Sequence, residues 1–164
     1  MTETETLRMI RDKYGSILVS AAVHFGHRAE VLAGICMRES AGGTSPLLDI
    51  PGSGGRGDGG HGHGLMQIDD RSFPDFCRGD DWKDAGKNID FGAMVLRQKR
   101  WFLITQIGAS ITHEEMERAS IASYNAGEGN IVKSIKTGMG FDYFTAGKNY
   151  SSECLRFALM YLNL

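Results

Sequence analysis

The chain has too few cysteines for a disulfide framework. Cys36, Cys77 and Cys154 are an odd set with no paired spacing, which does not make the staple of a small secreted domain. Cys36 and Cys154 sit in apolar sequence and read as ordinary core residues. Charge of one sign is lacking too. The formal net charge is −2, so no whole-molecule field draws the chain onto nucleic acid or an anionic surface. Nucleic acid is therefore not an expected partner, and any polymer the chain holds is recognised by a local groove. No window reaches the roughly 20 apolar residues of a membrane span, so membrane insertion is not expected. Residues 1–12, MTETETLRMIRD, lack the apolar region of a secretory signal. The expectation is a chain made in the cytosol with reduced thiols. A target outside the cell is then reached by release or by a dedicated delivery route. There is no internal repeat and no linker. The length suits one domain over 1–164, with an N-terminal helical segment (1–27) before a core (28–164).

What the chain has in excess is glycine. Ten of its 22 glycines fall between Gly42 and Gly64. A loop over 41–64 exceeds the usual length of a structureless connection, and such loops tend to be functional or disordered. Around it the pattern is helical. Leu7–Phe25 reads as a helix punctuated by Gly15 and Gly26. His27–Glu39 is a stronger one, because Leu32, Ile35 and Cys36 recur at i, i+3, i+4. Leu65–Ile68 suits a short strand or hairpin. Asn88–Ile107 reads as the longest helix, with Ile89, Ala93, Val95 and Leu96 inward and Arg97, Lys99 and Arg100 on a solvated face. Thr112 and Glu115 make a capping box that opens a helix through about Tyr124. Asn130–Lys136 is a short helix closed by Gly138, and Ser152–Leu162 an apolar one. Trp82 and Trp101 could stack sugars, but a tryptophan within a helix, as Trp101 is, is more often core, and neither is assigned a role. The fold class is mainly α, an α+β arrangement: a helical bundle with a Gly-rich loop and a short β-hairpin lining a cleft.

One acid sits on the apolar stripe. Glu39 is seven residues after Leu32 and four after Ile35, so it shares their helix face. Desolvation there raises a carboxyl pKa, and the C-terminal end of the helix dipole acts the same way. A carboxyl kept protonated near neutral pH is what a general acid needs. Periodicity leaves a second outcome open: Glu39 turned to solvent, or paired with Arg38 or Arg28. More carboxylates follow, at Asp58 in the glycine loop and at Asp69 and Asp70 after Gly64-Leu-Met-Gln-Ile68. Glycines let a bulky ligand approach the backbone. An acid on one wall facing carboxylates on another is a glycosidase layout, with about 6.5–9.5 Å between carboxyls in inverting enzymes. His61 and His63 near Asp58 raise the question of a metal. H-x-H in a glycine loop without a helical His pair or Cys pair is a poor ligand set, so none is expected. Asp70 reads as a surface acid or a cap.

Three segments then occur in one order: ICMRESAGG, GHGLMQID and SYNAGEGN. Together they resemble the goose-type (g-type) lysozymes, within the lysozyme and soluble lytic transglycosylase superfamily. The resemblance runs from about Arg28 to Leu164 and includes TAGKNYSSECLRFALMYLN. It implies that Glu39 is the proton donor. It also implies that Asp58 and Asp69, eleven residues apart, hold or activate the attacking water, giving inversion. Gln67, Tyr124 and Asn125 match positions that line the sugar groove, and their amides and ring suit sugar hydroxyls and acetamides. His63 is added as a groove-lining histidine. The chain departs from the pattern in a longer stretch at 44–56, in a missing aromatic residue before Asp58, and in the two histidines.

The implied activity is hydrolysis of the β-1,4 bond between N-acetylmuramic acid and N-acetylglucosamine. The implied partner is peptidoglycan or an N-acetylglucosamine-containing oligosaccharide. No cofactor is expected, because two carboxyl functions in different environments suffice, and a monomer is expected. Two alternatives stand beside it. A lytic transglycosylase would use Glu39 and form an anhydro sugar. A non-catalytic module would bind glycan without turnover.

Overall fold

The structure is a computed structural model and describes residues 1–50 and 55–164. Among these residues the chain forms seven α-helices and one small antiparallel sheet. Helix α1 spans Glu3–Phe25. It begins earlier than the apolar pattern suggested, because Thr2 and Glu5 form a full capping box. Gly15 lies inside the helix and does not interrupt it, whereas Gly26, at φ 74, ends it. Helix α2 spans Ala29–Ser40 and closes on Ala41 in a left-handed conformation.

Helix α2 is buried on nearly every side from Val31 to Cys36. It packs against the C-terminal helix α7, Tyr150–Leu162. Gly34 makes that approach possible. A Cβ there would run into the carbonyl oxygen of Cys154 and lie 3.2 Å from the Ala158 nitrogen. The two backbones therefore touch, and the closeness brings the C-terminal end of α2 beside the N-terminal end of α7.

The glycine-rich region is more regular than a loop. Strand β1 (Arg56–Gly57) pairs with β2 (Gly62–His63), which pairs with β3 (Ile68–Asp69), all antiparallel. A one-turn 3₁₀ segment, Asp58–Gly60, joins β1 to β2. The strand expected at Leu65–Ile68 is displaced, since Leu65 and Met66 belong to the turn between β2 and β3 and are buried. The reason lies in the turn itself: Gly64 takes φ 77 and Gln67 φ 47, conformations that break a strand. Of the expected 41–64 loop, residues 51–54 lie outside the described residues.

The β2–β3 turn is tied down from three directions. Ser40 at the end of α2 donates from Oγ to the Leu65 carbonyl at 2.7 Å. Asn88 accepts from the Met66 amide at 2.8 Å and donates to the His63 carbonyl at 3.0 Å. Tyr124 donates from its hydroxyl to the Met66 carbonyl at 2.9 Å. Asn88 is fully buried, so its satisfied amide fixes the turn where an unpaired one would be costly. The three sequence segments that carry the resemblance thus meet at one turn.

Helix α3 covers Pro74–Arg78 and α4 Ala85–Ile107. Helix α4 matches α1 in length, at 23 residues. Ile89, Ala93, Val95 and Leu96 are buried as expected. The expected solvated face is split, however. Lys99 is 17% exposed and pairs with Glu128 at 2.7 Å. Trp101, left unassigned by the sequence, goes the other way. It is 57% exposed, because it falls on the face of α4 away from both the main core and the second apolar cluster. That second cluster joins Leu103 and Ile107 of α4 to α5 (His113–Ala126) and α6 (Glu128–Lys136). Thr112 and Glu115 form the expected capping box of α5. Among the described residues no helix is long and apolar enough to cross a membrane.

Candidate active site

A cleft of about 500 Å³ runs between the ends of α2 and α5 and the small sheet. Its volume falls within the roughly 300–1,000 Å³ of ordinary ligand sites. Glu39, Asp58 and Asp69 all line it, as do Gln67, Tyr124 and Asn125.

Glu39 enters from the last turn of α2. Its carboxyl is partly buried and accepts a hydrogen bond from the Tyr150 hydroxyl. Burial pushes its pKa up to about 7. The Tyr150 hydrogen bond and the Arg38 charge pull the other way, and the Asp58 charge adds to the rise. The two arginines that could have neutralised Glu39 are engaged elsewhere. Arg28 pairs with Glu117 at 2.6 Å and Glu30 at 3.1 Å, and Arg38 lies 2.9 Å from Glu153. Among the described residues no cation forms an ion pair with Glu39, its carboxyl is partly buried, and desolvation wins.

The sheet supplies the opposite wall. Asp58 leads the 3₁₀ turn after β1, and Asp69 ends β3. Arg71 bridges them, with Nη2 2.8 Å from Asp58 Oδ2 and Nε 2.7 Å from Asp69 Oδ1. For Asp69 burial alone would raise the pKa. Hydrogen bonds from Arg71 and Ser72 more than offset it and hold the carboxyl below the ordinary range. The cleft therefore sets a carboxyl of raised pKa on one wall against two aspartates bridged by an arginine on the other. Three of the four non-glycine residues with positive φ among the described residues, Ala41, Asp58 and Gln67, line this same cleft. Strained backbone concentrates at functional sites in this way.

The family model for lysozyme g matches residues 1–163. Lysozyme g of Casuarius casuarius is 30% identical over 155 residues, covering 92% of this chain and 73% of that protein.

The chain belongs to the lysozyme g family. It is a glycoside hydrolase of the muramidase class, and its substrate is a cell-wall glycan. Against that family background, several groove residues have structural duties of their own. Gln67 donates to the carbonyls of Gly55 at 3.1 Å and Gly64 at 2.7 Å. Its side chain fills the space where Gly57 and Gly62 have no Cβ, so it builds the floor of the cleft. The Tyr124 hydroxyl is engaged with Met66, leaving its ring as the cleft-facing part. Asn125 is exposed, and its Oδ1 accepts from the Ala146 amide at 2.8 Å.

His63 is a correction. It is not a cleft-lining residue: its ring is 5% exposed and packs edge-on to Trp82, with centroids 4.9 Å apart. His61, two residues earlier, faces outward and meets Asp70 at 2.8 Å. The pair therefore diverges, and with it the only arrangement that had raised the question of a metal. Asp70 serves as the partner of His61.

Sequence reasoning missed Tyr150 and Arg71. Tyr150 is 111 residues from Glu39, and only the contact of α2 with α7 brings them together. For Arg71 a signal existed in its position, two residues after Asp69 in the turn that follows β3.

Proposed function

We propose that the chain hydrolyses the β-1,4 bond between N-acetylmuramic acid and N-acetylglucosamine with inversion at the anomeric carbon. Glu39 gives its proton to the leaving glycosidic oxygen as that bond breaks. A water held by Asp58 and Asp69 attacks from the opposite face and forms the new C–O bond, and its proton passes to the aspartate side. The enzyme resets through solvent. No cofactor enters this reaction, because acid and base functions are separated by environment alone.

One observation carries the reading: a carboxyl with a pKa near 7 faces an arginine-bound carboxylate pair across one cleft. A lone glutamate would suit a transglycosylase equally well. The second wall of carboxylates supports the activation of water instead.

The test is the configuration of the first sugar released from a soluble peptidoglycan oligomer, followed by proton NMR before mutarotation. The expected product is the α-anomer. A β-anomer would require a covalent intermediate, and an anhydro sugar would require attack by the substrate's own hydroxyl. Either would overturn the assignment.

A further inference from the structure

The two aspartates are not equivalent. Asp69 receives three donors: Arg71 Nε on Oδ1 at 2.7 Å, and the Ser72 amide at 3.2 Å and hydroxyl at 2.8 Å on Oδ2. Asp58 receives one, from Arg71 Nη2 on Oδ2 at 2.8 Å. Among the described residues no donor reaches Asp58 Oδ1. Each hydrogen bond donated to a carboxylate stabilises its charge and weakens it as a base. Asp69, with both oxygens engaged, is the weaker base.

Geometry favours Asp58 as well. Its side chain is 69% exposed against 34% for Asp69. Its backbone stands at φ 50, followed by Gly59 at φ 65 and Gly60 at φ 99. Asp58 thus leads a tight turn and does not continue the strand. The charge of Asp58 acts on the Glu39 carboxyl across the cleft. Arg71 spans the two acids with a planar fork, which sets position and direction as a point charge cannot.

We propose that Asp58 alone takes the proton of the attacking water, through Oδ1, while Arg71 and Asp69 are positioning residues that hold it in place. The proposal rests on the hydrolase reading above. The water oxygen bonds to the anomeric carbon as the glycosidic bond breaks, one water proton moves to Asp58, and the Glu39 proton leaves with the departing sugar. Asp58 then returns its proton to solvent.

The test is steady-state kinetics on soluble peptidoglycan oligomers, with and without sodium azide, for Asp58→Gly, Asp69→Asn, Arg71→Met and Arg71→Lys. Glycine accepts φ 50 freely, so the turn survives the first change; Asp58→Asn, also tolerant of that conformation, is the check on folding. Asp58→Gly is expected to lose about 10²–10⁴-fold in kcat. Azide needs no base, so it should restore turnover and appear in the product as a glycosyl azide. Asp69→Asn and Arg71→Met are expected to lose about 10-fold in kcat with KM little changed, to gain nothing from azide, and to recover in part in Arg71→Lys. Azide rescue of Asp69→Asn, equal losses and equal azide response at the two aspartates, or wild-type kcat in Arg71→Met would each overturn the proposal. Glu39→Gln is run in parallel: if it keeps its turnover, the hydrolase reading fails and not merely the division of labour.

Discussion

Glu39 and Tyr150 set the proton chemistry at the residue scale. In the proposed mechanism Glu39 acts in its protonated form, so the rate is expected to fall as pH rises through about 7. Tyr150 lowers the Glu39 pKa by donating to the carboxylate. Tyr150→Phe should therefore move the alkaline limb upward, while reducing the maximal rate. A pH profile of kcat checks both; a downward shift would mean that the hydroxyl stabilises the acid form instead.

Stability follows from the same group. The Glu39 carboxyl has a folded pKa above its ordinary 4.5, so the unfolded chain releases this proton first. Below about 4.5 the group is neutral in both states and costs nothing. Stability then falls as pH rises from there to about 7, and the loss is complete above that. Glu39→Gln should remove the loss. It is expected to unfold like the wild type near pH 4 and to be more stable at pH 8 by on the order of 2 kcal/mol, allowing for water in the cleft. Urea titrations at the two pH values measure the difference.

At the scale of elements, the site depends on α2 and α7 lying backbone against backbone. Gly34→Ala gains about 1 kcal/mol of helix propensity. It also drives a methyl into the Cys154 carbonyl, and a backbone obstacle does not rotate away. Overpacking at roughly 1–3 kcal/mol wins. The melting temperature should fall by several degrees, with activity reduced because Glu39 and Tyr150 ride on these two helices. An unchanged melting temperature would mean that α7 shifts freely.

Much at this scale was legible in the sequence. The apolar stripe of α2 put Glu39 on the buried face, and the capping box of α5 lies at its expected place. The sheet was less legible. Strands of two residues carry no alternation to read, and their register is set by turns at Gly64 and Gln67 and by Asn88, 22 residues from Met66. His63 was misplaced for the same reason. His61 ends the 3₁₀ turn while His63 lies in β2, so the two-residue spacing does not put them on one face, and the sequence does not mark where the turn gives way to the strand. Tyr150 emerges only when Glu39 is seen beside it, 111 residues away in sequence, whereas Arg71 lies close to Asp69 in the chain itself.

Across the whole molecule, Cys36, Cys77 and Cys154 are all free and buried. Burial raises each thiol, to about 12 for Cys36 and about 11 for Cys77. None is a reactive thiolate near neutral pH, and no disulfide staples the fold. A thiol reagent should leave the folded protein unmodified over minutes and titrate three groups after denaturation. Reductant should not change the melting temperature. Rapid labelling of the native state would show that the core opens far more readily than its packing implies.

The central claim joins a fold, an acid and a water. Mass spectrometry of peptidoglycan digested by the wild type and by Glu39→Gln tests all three together. Reducing, hydrated muropeptides are expected from the wild type, and none from the variant. Fragments lighter by one water, or equal digestion by Glu39→Gln, would contradict it.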